Sequence, residues 1–407
     1  MKIHSKDGKG GGMESITKID ANLAAVNQII SAGGDTVKRC YQCATCSSVC
    51  SLASDEAPFP RKQMLLAQWG FKEKLLSDPS IWLCHHCGDC TKYCPRNARP
   101  GEVLASLRRQ AARELVPFKF LHTFYNNLWG LPILILIALA VILPIMFLTF
   151  QGIPSLSNPT SFPYSPTYYK IGFMELPARV VMNDLIFLPL AVFIIAIMAS
   201  AVSRMWNSYL ETYKIPQAYR IGFVGVIKTY LIPALKEILA HSRFEKCGAN
   251  SWRAKPHKML MFGFIILFIV TGTVFILADI LGMHTPWNPI THPVKWLGYI
   301  GGILLLYGVI GLIVGRNRAI LENSLRTTYA DSFLLWLILI VGVTGFLLPF
   351  ARIFTFYYNY VGYIYLAHIV AVFLLFLSVP YSKFSHLVFR TTAVIFDLYY
   401  KDVLKKL

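Results

Sequence analysis

Eight cysteines at two repeated spacings constrain this chain more than any other feature of its sequence. Residues 40–50 and 84–94 both follow the pattern C-x2-C-x2-C-x3-C, and the second stretch ends in Cys94-Pro95. Two four-cysteine motifs of identical spacing rarely arise by chance. The spacing is typical of loops that hold two [4Fe–4S] clusters, in which the fourth cysteine of each motif binds the cluster of the other motif.

The spacing therefore predicts which thiolates share a cluster. One cluster is predicted to bind Cys40, Cys43, Cys46 and Cys94, and the other to bind Cys84, Cys87, Cys90 and Cys50. The alternatives are structural zinc sites or disulfides. Zinc sites usually contain separated C-x2-C pairs. Disulfides require an oxidising compartment, and no secretory signal is recognisable ahead of the first motif.

Three other potential ligands lie near or beyond the motifs. We expect His85 and His86, inside the second motif, to tune or shield a cluster rather than bind metal. The ninth cysteine, Cys247, is expected to be a spare thiol, although its basic surroundings leave a reactive role open.

Most of the chain has the composition of a membrane protein. Of its 407 residues, 55% are hydrophobic and only 15% are charged, whereas soluble domains contain about 25% charged residues. Beyond Phe118, six apolar stretches are each long enough to cross roughly 30 Å of hydrocarbon as a helix. These predicted spans are Trp129–Phe150, Leu185–Trp206, Met259–Gly282, Trp296–Gly315, Phe333–Phe350 and Val361–Val379.

The basic residues flank these spans, so the net charge of +18 indicates a membrane topology rather than nucleic-acid binding. Lys and Arg are concentrated between spans two and three, between spans four and five, and in the C-terminal tail. The opposite loops contain only Lys170, Arg179, Lys295 and Arg352. Because basic loops stay on the cytoplasmic side, we expect a multi-pass protein of the cytoplasmic membrane with both termini and the clusters inside.

The predicted fold is all-α: an α-helical ferredoxin domain followed by a six-helix transmembrane bundle. We expect a disordered or short helical N-terminus (1–30), a cytoplasmic cluster domain (31–117) and a transmembrane domain (118–407). Apolar periodicity predicts helices at Asp20–Ile30, Pro60–Leu76 and Glu102–Leu115. The loop Gln151–Asn183 is expected to be irregular. Ile221–Ala240 is expected to be an amphipathic helix on the membrane surface, or alternatively a partner-binding face.

Histidines at the ends of the spans predict a haem site. His257 begins span three and His386 follows span six, at the same expected depth. A six-coordinate haem b takes one imidazole nitrogen from each side, so these two residues are predicted axial ligands. The alternative is that they are interfacial histidines at helix ends.

His368 lies inside span six, where an ionisable side chain indicates function. The 18 residues between His368 and His386 make five helical turns, so a continuous helix would place both on one face; Pro380 lies between them and could kink it. No second histidine lies inside a span at the depth of His368. A second haem is therefore left open: it could be five-coordinate, use another ligand type, or be absent.

The cysteine stretch CYQCATCSSVC at 40–50 resembles the C subunit of heterodisulfide reductase. The membrane part resembles the haem b subunits of that enzyme and of respiratory nitrate reductase. In this resemblance His368 and His386 match the late histidine pair, and His257 matches the first of the early pair, whereas Leu267 stands in place of the second. A chain that joins both halves is similar to the C-subunit family of quinone-interacting membrane-bound oxidoreductase complexes of sulfate reducers.

This resemblance implies two [4Fe–4S] clusters, haem b, menaquinone, two soluble flavin- and iron–sulfur-containing partner subunits, and electron flow towards adenylyl-sulfate reductase. The resulting hypothesis is electron transfer between menaquinol and cytoplasmic partners. A quinol site needs a group that hydrogen-bonds or accepts protons, and Asp279 and His284 are the candidates, although Asp279 could simply face water at a helix end. The alternatives are a heterodisulfide-reducing complex, a transporter with a regulatory iron–sulfur domain, and a redox-sensing membrane anchor.

Overall fold

A computed structural model describes residues 21–55, 57–149, 168–171, 174–240, 248–283, 290–322, 326–353 and 361–406. The predicted helical architecture, a ferredoxin-like region followed by long apolar helices, is confirmed. One antiparallel hairpin, β1 (Tyr168–Ile171) and β2 (Met174–Pro177), interrupts it. The prediction that Gln151–Asn183 is irregular is therefore wrong in its described part, which contains this hairpin and the start of the next helix.

Short helices build the cysteine-rich region because its cysteine loops and prolines break the chain repeatedly. They are α1 (Leu23–Ile29), α2 (Thr45–Ser48), α3 (Arg61–Trp69), α4 (Lys72–Leu76), α5 (Ser80–Leu83), α6 (Asp89–Lys92), α7 (Pro100–Leu115) and α8 (Lys119–Asn126). The single helix predicted over Pro60–Leu76 is two helices. Gly70 ends α3 in the left-handed region (φ 73°), where a Cβ atom would lie 2.1 Å from the Asn22 carbonyl oxygen.

Longer helices follow in the apolar part of the chain. They are α9 (Gly130–Thr149), α10 (Ala178–Thr212), α11 (Phe223–Ala240), α12 (Ala254–Phe275), α13 (Pro293–Leu321), α14 (Tyr329–Ile353), α15 (Val361–Ser378) and α16 (His386–Leu404). In the described part of the chain, length and composition allow five of them (α9, α10, α12, α13 and α14) to cross a membrane, and six if the bent pair α15 and α16 forms one span.

The last predicted span, Val361–Val379, is a single helix, but this helix does not continue to His386. Helix α15 ends at Ser378, and the chain bends by 56° before α16. Pro380 lies in this break and has no backbone N–H to donate to a preceding carbonyl. The continuous helix that would place His368 and His386 on one face is therefore not present: His368 lies within α15, and His386 is the first residue of α16.

Helix α11, predicted over Ile221–Ala240, packs against α16. The Tyr230 hydroxyl at its centre donates to the Asp402 carboxylate over 3.0 Å. One side of α11 is therefore joined to the C-terminal helix, while its position on the membrane surface stays a prediction.

Glycines on α13 bring α12 unusually close. A Cβ atom at Gly308 would lie 2.4 Å from the Leu260 backbone nitrogen, and one at Gly301 would lie 2.9 Å from an Ile266 side-chain carbon. Small residues allow helix backbones in membranes to approach each other in this way. This contact fixes α12, which carries His257, against the rest of the bundle.

We predict that Gly308→Ala lowers the stability of the bundle by about 1–3 kcal/mol, because the added methyl group meets backbone atoms that cannot move aside. Gly298→Ala on the same helix is the matched control, since its Cβ atom would meet only Val270, at 3.9 Å. Thermal unfolding of both variants in detergent measures the difference. Equal melting temperatures for the two variants would contradict the close packing of α12 and α13.

Candidate functional site

The two cysteine motifs fold into equivalent loops. Gln42 and Ala44 in the first loop, and His86 and Gly88 at the same positions of the second, all have positive φ angles. In each loop a one-turn helix follows directly, α2 or α6. The identical spacing thus produces the same backbone path twice.

The first predicted set of four thiols surrounds one cavity. Cys40, Cys43, Cys46 and Cys94 all line it. Burial and the neighbouring charges of Cys40 and Cys43 raise the pKa of Cys46 to about 11, whereas a hydrogen bond with Thr45 lowers the pKa of the exposed Cys43. Cys94 comes from the second motif and lies with the three cysteines of the first, while its role as a cluster ligand stays a prediction.

The second set is brought together in the same manner. Burial raises the pKa of Cys50 to about 11, and the nearby charges of Cys84 and Cys87 add to this shift. Burial also raises the pKa of Cys90, again with contributions from Cys84, Cys87 and Cys50. These high pKa values mean that the Cys50 and Cys90 thiols stay protonated at neutral pH without a metal, so binding iron must release protons.

Backbone N–H groups in and just after the second motif donate hydrogen bonds to cysteine sulfur atoms, an arrangement that suits iron–sulfur clusters. The backbone N–H of His86 donates to Cys84 Sγ and that of Ala98 donates to Cys94 Sγ, each over 3.3 Å. Such bonds tune the potentials of cluster ligands. Within the described residues, no three or more His, Cys, Asp or Glu side chains form a site for a single metal ion.

The second loop is attached to the long apolar helices by Arg390 of α16. Its guanidinium donates to the carbonyl oxygens of Trp82 (3.0 Å) and Cys84 (3.3 Å), and lies 2.9 Å from the His85 ring nitrogen Nε2. The Trp82 ring also packs on Phe389, with ring centroids 5.1 Å apart. The beginning of α16 and the beginning of the second motif are therefore one packed unit.

The segment just before α12 also binds this loop. Arg253 donates to the His86 carbonyl oxygen, and the Asn250 N–H donates to the Cys87 carbonyl oxygen over 2.9 Å. The Asp89 carboxylate accepts the backbone N–H groups of Gly248 (3.1 Å) and Ala249 (2.7 Å). The second loop is thus held at the starts of both helices that carry the predicted haem ligands.

His257 and His386 face each other beside this contact, with ring centroids 6.4 Å apart. Two imidazoles that bind one iron from opposite sides place their ring centres about 6 Å apart, since each metal–nitrogen bond is about 2 Å. His386 Nδ1 lies 2.5 Å from the Lys383 carbonyl oxygen, an acceptor that keeps the proton on Nδ1 and leaves Nε2 as the free ligand atom. The pair therefore fits bis-histidine ligation.

Each histidine lies one helical turn from an arginine of the loop contact. Arg253 precedes His257 by four residues, and Arg390 follows His386 by four residues. Residues four apart lie on one helix face. The second cysteine loop is therefore next to the histidine pair. Both four-residue spacings can be read from the sequence, but only the structure shows that the two arginines contact the second cysteine loop.

An ion pair between the half-exposed Lys383 and the buried Asp331 lies next to His386. Lys383 Nζ lies 2.6 Å from Asp331 Oδ1, and Asp331 is 7% exposed. The Arg316 side chain donates to the Asp331 carbonyl oxygen, over 2.5 Å, which joins α13 and α14 at this point. Because the Lys383 carbonyl orients His386, this ion pair fixes the histidine through Lys383.

The remaining predicted site residues are more scattered. His368 Nδ1 lies 2.9 Å from the Thr344 hydroxyl, and its ring contacts the position where Gly345 lacks a side chain. Asp279 lies on a π-helical turn, Ile276–Ile280, with its Oδ1 buried and without a hydrogen-bond partner in the described residues. His284 and Cys247 lie outside the described residues.

Comparisons with known proteins divide the chain into the same two parts. The family model for a 4Fe-4S dicluster domain matches residues 36–98, and the model for citrate utilization protein B matches residues 238–400. Citrate utilization protein B of Escherichia coli is 28% identical to this chain over 144 residues, which are 35% of this chain and 37% of that protein. No solved structure matches the chain.

The cysteine-rich part is similar to the C subunits of heterodisulfide reductases. The C subunit of the H(2):CoB-CoM heterodisulfide,ferredoxin reductase of Methanothermobacter thermautotrophicus is 34% identical over 87 residues, 21% of this chain and 46% of that protein. A protein of Archaeoglobus profundus, described as similar to the C subunit of heterodisulfide reductase, is 34% identical over 99 residues, 24% of this chain and 52% of that protein. The chain thus spans about half the length of these relatives.

The predicted resemblance to the C subunit of heterodisulfide reductase is therefore confirmed for the iron–sulfur domain. The second region is similar to citrate utilization protein B, a likeness that the sequence motifs did not predict. The resemblance to a quinone-interacting complex of sulfate reducers, and the presence of haem b, stay predictions.

We predict that Cys94→Ala and Cys50→Ala each remove a cluster of the opposite motif. Cys94 lines the cavity of Cys40, Cys43 and Cys46, so its loss should abolish that cluster and about half of the bound iron. EPR spectra of the reduced variants, with iron counts, should show a different surviving cluster in each. Loss of the same signal in both variants would contradict the assignment of the fourth ligands.

Proposed function

We propose that this chain is a membrane electron-transfer subunit, passing electrons between menaquinol and cytoplasmic partner subunits. In this proposal two [4Fe–4S] clusters and haem b supply one-electron carriers, and the chain positions them. The observation that carries the proposal is the placement of His257 and His386, each one turn from an arginine that binds the second cysteine loop. A haem held by this pair would lie beside that loop.

The chain itself performs three tasks in this scheme. The cysteine loops hold iron and donate N–H groups to sulfur. The Lys383 carbonyl orients the His386 ring. Arg253 and Arg390 keep the second loop against the histidine-bearing helices, so the carriers stay within a short and fixed distance.

The order of carriers follows from these contacts. The set of Cys50, Cys84, Cys87 and Cys90 belongs next to the histidine pair, and the set that includes the exposed Cys43 is the outer one. Electrons from the membrane would therefore reach the inner set first and leave through the outer set. The charges of the loops favour a cytoplasmic position for both termini and both cluster loops.

A quinol site is proposed near Asp279. This carboxylate has a buried oxygen without a partner in the described residues, and it lies on a π-helical turn, a feature frequent at functional sites. His284 is the second proposed residue. His368, held by Thr344, would bind a second haem only together with a ligand from elsewhere.

The partners are proposed from the similarities. The relatives are named as subunits of heterodisulfide reductases, so this chain is proposed to assemble with other subunits of a reductase complex. The two partners implied by the resemblance are soluble flavin- and iron–sulfur-containing subunits, with adenylyl-sulfate reductase as the acceptor in sulfate reduction. The second candidate, favoured by the same relatives, is the membrane-anchoring subunit of a heterodisulfide reductase-like complex.

We predict that His386→Ala abolishes haem binding and leaves both cluster EPR signals intact, because the cysteine loops do not depend on this ring. A menaquinol analogue should then fail to reduce the clusters, while dithionite still reduces them. Leu387→Ala, at the neighbouring exposed position, is the control. Full haem content in His386→Ala would refute the ligand assignment, and quinol reduction of the clusters without haem would refute the proposed route.

A further inference from the structure

The first cysteine loop has the same backbone path as the second, but it is more exposed at two positions. Two positions through which the second loop contacts the membrane helices have exposed equivalents in the first. His85, which lies against Arg390, corresponds to Tyr41, which is 69% exposed. Cys87, whose carbonyl accepts from Asn250, corresponds to the exposed Cys43.

Positive charge surrounds this open loop. Arg61 and Arg96 line the cavity of the four thiols, and the Arg96 guanidinium lies 4.1 Å from the centre of the Tyr41 ring. Further exposed cations lie next to cavity-lining residues in sequence: Lys38 and Arg39 precede Cys40, Lys62 follows Arg61, and Lys92 lies two residues before Cys94. We call these six cations, together with Tyr41, the basic rim.

Few acidic residues lie near the rim in sequence. Asp55 and Glu56 contribute two negative charges against its six cations, and two others are engaged elsewhere. Asp35 pairs with Arg326 over 2.7 Å, and Asp89 accepts the N–H groups of Gly248 and Ala249. The first twenty residues contain four lysines and three acidic residues, a net charge of +1, and so lack charge complementarity to the rim.

We infer that the basic rim is the docking surface for an acidic redox protein, which exchanges single electrons with the outer cluster. This inference rests on the proposed function and names the chemistry of the partner. Complementary charge steers such encounters, and exposed aromatic and arginine side chains are enriched at interface centres. In the proposed direction, one electron leaves the reduced outer cluster, which is oxidised by one unit, and enters the partner's oxidised centre, which is reduced by one unit. The electron-transfer test below follows the reverse transfer.

The first test measures binding alone. The full-length protein with its cofactors, in nanodiscs of neutral lipid, is titrated with an acidic plant-type ferredoxin in a redox-inert, gallium-substituted form. We expect the Kd to rise at least about tenfold in Arg61→Glu/Arg96→Glu and in Lys38→Glu/Lys92→Glu, and with rising salt. Lys405→Glu/Lys406→Glu, with the same change in charge at the C-terminus, should shift the Kd by less than about twofold.

The second test measures electron transfer into the clusters by stopped flow, using reduced native ferredoxin and the methyl viologen radical cation as donors of opposite charge. The rim variants should slow the ferredoxin reaction and speed the viologen reaction. If the cations only balance the charge of the cluster, both reactions change in the same direction, which would overturn the inference. Lys38 and Lys92 lie outside the cavity lining, so their variant tests docking even if Arg61→Glu/Arg96→Glu loses its cluster.

Anionic lipid headgroups are the alternative ligand for the basic rim. Loss of ferredoxin binding on changing from neutral to anionic nanodiscs would assign the rim to lipid headgroups and overturn the inference. Neither test uses quinol or haem reduction. A failure here therefore leaves the proposed function standing, and a failure of quinol reduction leaves the docking result standing.

Discussion

The contacts of Arg253 and Arg390 with the second cysteine loop are the interactions on which the rest of this structure depends. They connect carbonyl oxygens of residues 82–86 to the starts of helices α12 and α16. Hydrogen bonds to charged groups contribute about 1.5–3 kcal/mol each, and arginine presents several donors in a fixed plane. Together with the contacts of Asn250, Asp89 and Trp82, the two arginines join the cysteine loops to the part of the chain that carries the two histidines.

The same contacts determine the different exposure of two loops that are equivalent in sequence and backbone. These contacts place the second loop next to His257 and His386, while Tyr41 and Cys43 of the first loop stay exposed. In the proposed function, this asymmetry gives electron transfer a direction, from the apolar helices through the inner thiol set to the exposed set. Asp331 and Lys383 extend this arrangement by fixing the short segment that precedes His386.

Much of this arrangement could be predicted from the sequence. The grouping of Cys94 with the first motif followed from spacing alone, because that spacing favours one backbone path, which the structure repeats twice. The apolar stretches were long enough to be recognised as helices without tertiary information. The pairing of His257 with His386 followed from their expected depth, and the structure places their rings 6.4 Å apart.

Features that depend on tertiary contacts could not be predicted from the sequence. The sequence indicates a possible kink at Pro380, but the 56° angle of the bend depends on tertiary packing. Arg253 and Arg390 resembled ordinary basic residues of a cytoplasmic loop, because their partners are backbone carbonyls 167 and 308 residues away in the chain.

The proposal that one chain joins a membrane haem to two iron–sulfur clusters is tested most directly by the haem and iron content of the purified protein. Visible spectra are recorded before and after addition of a menaquinol analogue. We predict about eight irons per chain and a b-type haem band that becomes reduced by the quinol. About eight irons with no haem would contradict this proposal, and would make His257 and His386 interfacial residues of a membrane anchor.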